Sequence, residues 1–164
     1  MRVEFINPFI ESTAEAFASM LGCEAVRGSV GVTKDAFKNP LEIMALIGLS
    51  GPARGTVALC FPTATALNVV SSLLSTPLHI VDETVSDGIA ELVNIVAGSA
   101  KAKLSIQLNQ QAMDLSLPTV VRGSSYSVSQ PSQAVWLEVP FTSAHGPFVL
   151  RVTFEFSKNG KGDA

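Results

Sequence analysis

The sequence predicts an α+β fold, a two-layer sandwich of about six mostly antiparallel strands and three main helices arranged as two pseudo-repeated halves. Three observations lead there. Stretches with apolar residues at helical spacing begin near Asn7, Thr63 and Asp82. Shorter apolar or alternating runs, cut by glycine and proline, fill the chain between and after them. The order of elements also repeats, with a helix leading into a set of strands in each half. A sheet carrying its helices on one face accommodates this order. One domain is expected over residues 1–156, followed by a polar, glycine-containing tail at 157–164 that is expected to fray.

The first helix is expected to start with Asn7 as cap and Pro8 at the first helical position. Phe9, Ile10, Thr13, Phe17, Met20 and Leu21 follow at helical spacing, and Gly22 serves as the C-terminal stop. Glu24 to Val32 reads as extended and Lys34 to Pro40 as a polar loop. Ile43 to Leu49 is strand-like, and Ser50 to Gly55 is a turn-rich connector. Thr56 to Phe61 is a short apolar strand stopped by Pro62, which suggests an antiparallel meander. A second helix runs from Thr63 through Leu74 and breaks at Pro77. The third and longest reaches from Asp82–Thr84 to about Leu108, with acids at its positive end and Lys101 and Lys103 in its last turns. Further strands are expected at Leu115–Arg122, Tyr126–Ser129, Ala134–Thr142 and Phe148–Phe156. In the last, Arg151, Thr153 and Glu155 alternate with Val152, Phe154 and Phe156, the pattern of a strand with one buried face.

Composition narrows the function. With 47% apolar and 15% charged residues, the chain of 164 residues reads as a well-packed globule with little charge to cover its surface. That shortage favours a buried subunit interface. A net charge of −3 without a basic run argues against nucleic acid. No apolar run approaches the ~18 residues of a membrane span, and no secretory leader is visible, so a soluble cytoplasmic protein is expected. Cys23 and Cys60 read as buried free thiols, with no disulfide framework. His79 and His145 stand beside turn-forming prolines and read as structural. No metal-ligand spacing, phosphate-binding loop or nucleophile elbow occurs, so neither a metal nor a cofactor is expected in this chain.

One stretch stands out. Asp87, Glu91, Asn94, Gly98 and Lys101 are spaced 4, 3, 4 and 3 residues apart and so line one side of the third helix. Val85, Ile89, Leu92, Val93, Val96 and Ala100 fall on the other side, which reads as buried. Glu91 is an anionic acceptor able to hold a partner's lysine or arginine. Asn94 offers a donor and an acceptor, so it can grip a water in a fixed direction. Gly98 leaves a flat spot for a partner's backbone, at a cost to the helix of about 0.5–1 kcal/mol relative to alanine. Gly88 lies off the stripe and reads as serving helix entry. A polar stripe by itself is also what a merely solvated helix face carries.

Asp87…Glu91-Leu92-Val93-Asn94…Gly98…Lys101-Ala102-Lys103-Leu104 resembles the active helix of the CheC/CheX/FliY family of CheY-phosphate phosphatases, in its CheX-like branch. Asn7-Pro8-Phe9-Ile10-Glu11, Ile47-Gly48-Leu49-Ser50-Gly51 and Ser116-Leu117-Pro118-Thr119-Val120-Val121-Arg122-Gly123 extend the similarity to about Phe156. The resemblance implies a hydrolase acting on the aspartyl phosphate of a CheY-like response-regulator receiver. It implies that Glu91 docks to the receiver's lysine and that Asn94 orients the attacking water, with Asp87, Gly98 and Lys101 as partner contacts. It implies Mg²⁺ in the receiver and a homodimer built through the β-sheet. In the first helix, Glu11-Ser12-Thr13-Ala14 has the acid but alanine where a second asparagine would stand, so one active helix per chain is expected. The alternative is a dimeric, non-enzymatic interaction module of the same family, in chemotaxis or another two-component pathway.

Overall fold

In the computed structural model, the described residues are 3–33, 43–109, 111–123 and 135–156. Three helices, α1 (Asn7–Leu21), α2 (Thr63–Leu74) and α3 (Glu83–Gln107), accompany eight strands. These are β1 (Val26–Arg27), β2 (Gly31–Thr33), β3 (Ile43–Ser50), β4 (Ala53–Phe61), β5 (Asp114–Leu115), β6 (Thr119–Arg122), β7 (Trp136–Thr142) and β8 (Phe148–Phe156). The predicted class holds, and the strand count rises for identifiable reasons. The segments read as Glu24–Val32 and Leu115–Arg122 each resolve into two short strands. The loop Lys34–Pro40, the strand Tyr126–Ser129 and the tail 157–164 lie outside the described residues.

All described strand pairs are antiparallel, but they do not form two separate meanders. The hairpins β3–β4 and β7–β8 join through β4 and β8 at the centre. β1 and β2, from the first half, pair with β7, while β5 and β6, from the second, pair with β3. Each half therefore closes the edge of the other. Alternation along a strand fixes which face a residue occupies but not which strand lies beside it, so this exchange was invisible in the sequence.

Side chains at alternate positions, among them Ile43, Ala45, Ile47, Val57, Leu59, Phe61, Leu150 and Val152, join one core with residues of all three helices. Phe148 stacks on Phe17, Phe61 and Phe141 at centroid separations of 4.6, 5.3 and 5.1 Å, locking α1 to the sheet. The opposite face holds a smaller apolar group of Met44, Ala58 and Cys60. Here one expectation fails. Arg151 and Thr153 of β8 are buried although they alternate with the core residues. Arg151 is satisfied on that second face: its Nε donates to Glu138 at 2.7 Å and its Nη1 to Cys60 Sγ at 3.5 Å. β8 is a central strand covered on both sides, and period two reports only one of them.

Two further details differ. Asn7 is the first residue of α1 rather than its cap; Ile6, at the end of a 3₁₀ turn over Val3–Ile6, takes the cap position with no side-chain bond. The buried Phe5 and Ile6 keep the chain coiled into the helix, so it never becomes extended at Asn7. The left-handed Gly22 stop is as expected. Cys60 is fully buried, but Cys23 is only half-buried.

Candidate functional site

α3 is the spine of the helix layer, packing on α1, α2, β3, β4 and β6. It starts where the sequence places it. Asp82 is extended, and its carboxylate accepts the Val85 amide at 3.2 Å, satisfying a donor that the first turn leaves free. Arg122 of β6 donates to the Val81 carbonyl at 3.2 Å, tying the approach to α3 to the sheet edge. The six residues expected on the buried side are all buried, joined by Ala97 and Leu104.

The polar stripe faces outward. Asp87, Glu91 and Asn94 are exposed, whereas Gly98 and Lys101 are half-buried. Glu91 and Asn94 stand three residues apart within one continuous helix of 25 residues, which places their Cβ atoms about 5–6 Å apart. Behind them, Leu92 and Val93 are fully buried. The pair thus stands on a backbone fixed by packing from the rear, with its polar atoms presented to a partner. Glu91 supplies a carboxylate for a cationic group, and Asn94 an amide able to hold a water between a donor and an acceptor.

The two glycines of α3 differ in kind. A Cβ on Gly88 would lie 2.6 and 2.8 Å from the Val70 methyl carbons of α2, so Gly88 permits close helix packing rather than helix entry. A Cβ on Gly98 would meet nothing within 4 Å, and its φ is not positive.

Contacts that the sequence did not foretell brace this helix against α1. The buried Ser12 donates to Ser99 at 3.0 Å. Lys103 Nζ lies 2.6 Å from Glu15 Oε1 and 3.4 Å from Glu11 Oε2. Partial desolvation pulls the Lys103 ammonium down, and the hydrogen bonds it donates to Glu15 and Glu11 outweigh that, leaving its pKa above the ordinary lysine value. The acid of the first helix, Glu11, is therefore held by the chain's own lysine, and Ala14 provides no amide beside it. The signal for this brace was faint: Lys103 fits a helix C-terminal half on dipole grounds alone, and a serine pair between helices has no spacing rule.

Two hollows lie elsewhere. One of about 490 Å³ is lined by Ala14, Glu15, Ala18, Gly22, Cys23, Glu24 and Ala25 near the end of α1. Another of about 300 Å³ lies between Phe5, Phe156 and the end of α3. Neither is lined by Glu91 or Asn94. Among the described residues no cluster of three or more His, Cys, Asp or Glu side chains is placed to hold a metal ion. None of their helices is long and apolar enough to cross a membrane.

Residues 43–142, which include all of α3, match the family model described as chemotaxis phosphatase CheX. The chain is 30% identical over 143 residues to the CheY-P phosphatase CheX of Thermotoga maritima, covering 87% of this chain and 89% of that one. A CheC-like superfamily protein from Shewanella sp. PV-4 has a solved structure with a TM-score of 0.83 and 30% identity, covering 94% of this chain and 99% of that one. The chemotaxis protein CheX of Vibrio vulnificus has a TM-score of 0.81 and 27% identity, over 93% of this chain and 100% of that one.

Proposed function

The chain belongs to the chemotaxis phosphatase CheX family, and from that premise we propose that it hydrolyses the aspartyl phosphate of a CheY-like receiver domain, using the outward face of α3. The observation that carries the proposal is the exposed Glu91–Asn94 pair on a helix whose opposite side is buried. The Thermotoga maritima relative is named a CheY-P phosphatase, which sets the substrate class.

In this reading, Glu91 docks against a lysine of the receiver and fixes the position of the two proteins. Asn94 then enters the receiver's site, where its amide N–H and carbonyl hold one water in line with the phosphorus–oxygen bond that breaks. Water attacks phosphorus, the aspartate carboxylate leaves, and inorganic phosphate is released. Phosphoryl transfer depends mainly on placement and charge stabilisation, so a docking acid and a water-positioning amide are a sufficient contribution from this chain. The Mg²⁺ that this chemistry uses would sit in the receiver, as the family resemblance implies. Asp87 and Lys101 flank the pair as further contacts. A cytoplasmic location follows from such a substrate.

The same reading includes a homodimer built through the sheet. Val26 and Val32 of the short strands along β7 are 51% and 66% exposed, apolar surface at a sheet edge that a second copy could cover. A monomer by sedimentation at micromolar concentration would contradict it.

The test of the docking role is Glu91→Lys. With charge reversed at the contact, the variant is expected to fold normally and to lose both binding to a beryllofluoride-activated receiver and acceleration of phosphate loss. Unchanged binding by Glu91→Lys would refute the assignment.

A further inference from the structure

We infer that Gly98 is a clearance point on α3, over which a main-chain segment of the phosphorylated receiver packs directly against the helix. The inference rests on the reading of this face as the receiver-docking surface and adds a steric requirement to it. Gly98 follows Asn94 by four residues, so it lies one turn further along the same side. A Cβ there would meet nothing within 4 Å, and the backbone is not in the left-handed region. Gly98 is the one described glycine for which both statements hold. The other open positions, Gly22 and Gly123, have φ of +61° and +128°, which favour glycine on their own.

Nothing within the described fold therefore asks for glycine at 98, and a helix interior prefers almost any other residue except proline. A hinge does not explain it either. α3 runs unbroken from Glu83 to Gln107, and the neighbouring Ser99 is bonded to Ser12 of α1. By spacing, position 98 lies between Asn94 and Lys101 on this side of the helix and carries no side chain of its own, which leaves room for a notch between two longer polar residues. A glycine surface allows another backbone to approach closely. The notch is framed by an amide and an ammonium group, which suits peptide carbonyls and N–H groups better than an apolar side chain.

The experiment compares wild type, Gly98→Ala, Gly98→Phe and Asn94→Ala, using a CheY-like receiver activated with beryllofluoride and Mg²⁺ for affinity and the phosphorylated receiver for turnover. Gly98→Ala is expected to raise Tm by about 2–4 °C while weakening binding. Gly98→Phe is expected to keep a cooperative thermal transition and to weaken binding at least 10-fold, with KM rising by more than kcat falls. Wild-type affinity in Gly98→Phe overturns the inference. Loss of turnover in Asn94→Ala beside normal binding by Gly98→Phe removes the clearance role and leaves the docking face standing. A wild-type chain that binds the receiver in neither state removes both.

Discussion

The two glycines of α3 offer a stability comparison within one helix. Replacing either with alanine recovers about 0.8–1 kcal/mol of helix propensity. At Gly98 nothing opposes that gain, because the new Cβ enters open space. At Gly88 the Cβ arrives 2.6 Å from Val70 Cγ1 and 2.8 Å from Cγ2. Val70 is fully buried and its branched side chain has essentially one rotamer in a helix, so it has no means of moving aside. Overpacking of this kind costs about 1–3 kcal/mol. Gly88→Ala is therefore expected to be neutral to about 2 kcal/mol less stable than wild type, and Gly98→Ala about 1 kcal/mol more stable. For a chain of this size the two midpoints should differ by about 2–12 °C in thermal unfolding. Val70→Ala removes both methyls, so Gly88→Ala should regain its helix benefit in that background, giving a measurable coupling. Equal stability of Gly88→Ala and Gly98→Ala, or no coupling to Val70, would refute the packing argument.

Other expectations follow from single contacts. Asp82→Ala removes the carboxylate that accepts the Val85 amide and should cost about 1 kcal/mol in urea unfolding, with Asp82→Asn largely restoring it. Burial pushes the Cys60 thiol from an ordinary 9.0 up to about 11, the nearby Arg151 offsetting only part of that. The folded state therefore keeps this proton where the unfolded chain releases it. Stability is full below pH 9.0 and falls between 9.0 and about 11, by about 3 kcal/mol from this group; Cys60→Ala should flatten that limb. At pH 8 a thiol reagent should modify Cys23 in the native protein and Cys60 only on unfolding. Lys103→Met breaks the α1–α3 ion pairs, but Glu11 and Glu15 are 62% and 60% exposed, so the loss should stay within about 1 kcal/mol and shrink in salt.

Much of this was legible in the sequence where local physics decides. Asp82 marks a helix start, Gly22 a helix stop and Pro62 a strand end, because caps and breakers act over a few residues. The buried and exposed sides of α3 were readable from 3.6-residue periodicity, so the outward placement of Asp87, Glu91 and Asn94 needed no tertiary information. What stayed hidden depends on distant parts of the chain. The exchange of β1–β2 and β5–β6 between halves is a choice of neighbour, which alternation does not encode. Arg151 reads as a solvent-facing residue until Glu138 and Cys60 are brought beside it. Spacing separated Gly98, on the polar stripe, from Gly88, off it, but only the nearness of Val70 shows that Gly88 serves helix packing rather than helix entry.

The central claim is that Asn94 places the water that takes the phosphate from the receiver. Its most direct test is the decay of a phosphorylated CheY-like receiver in the presence of wild type and of Asn94→Ala, at matched saturation with receiver. Loss of one preorganised positioning group should slow the accelerated decay by about 10²-fold, with affinity for the beryllofluoride-activated receiver changed far less. Equal decay with the two proteins would contradict the account.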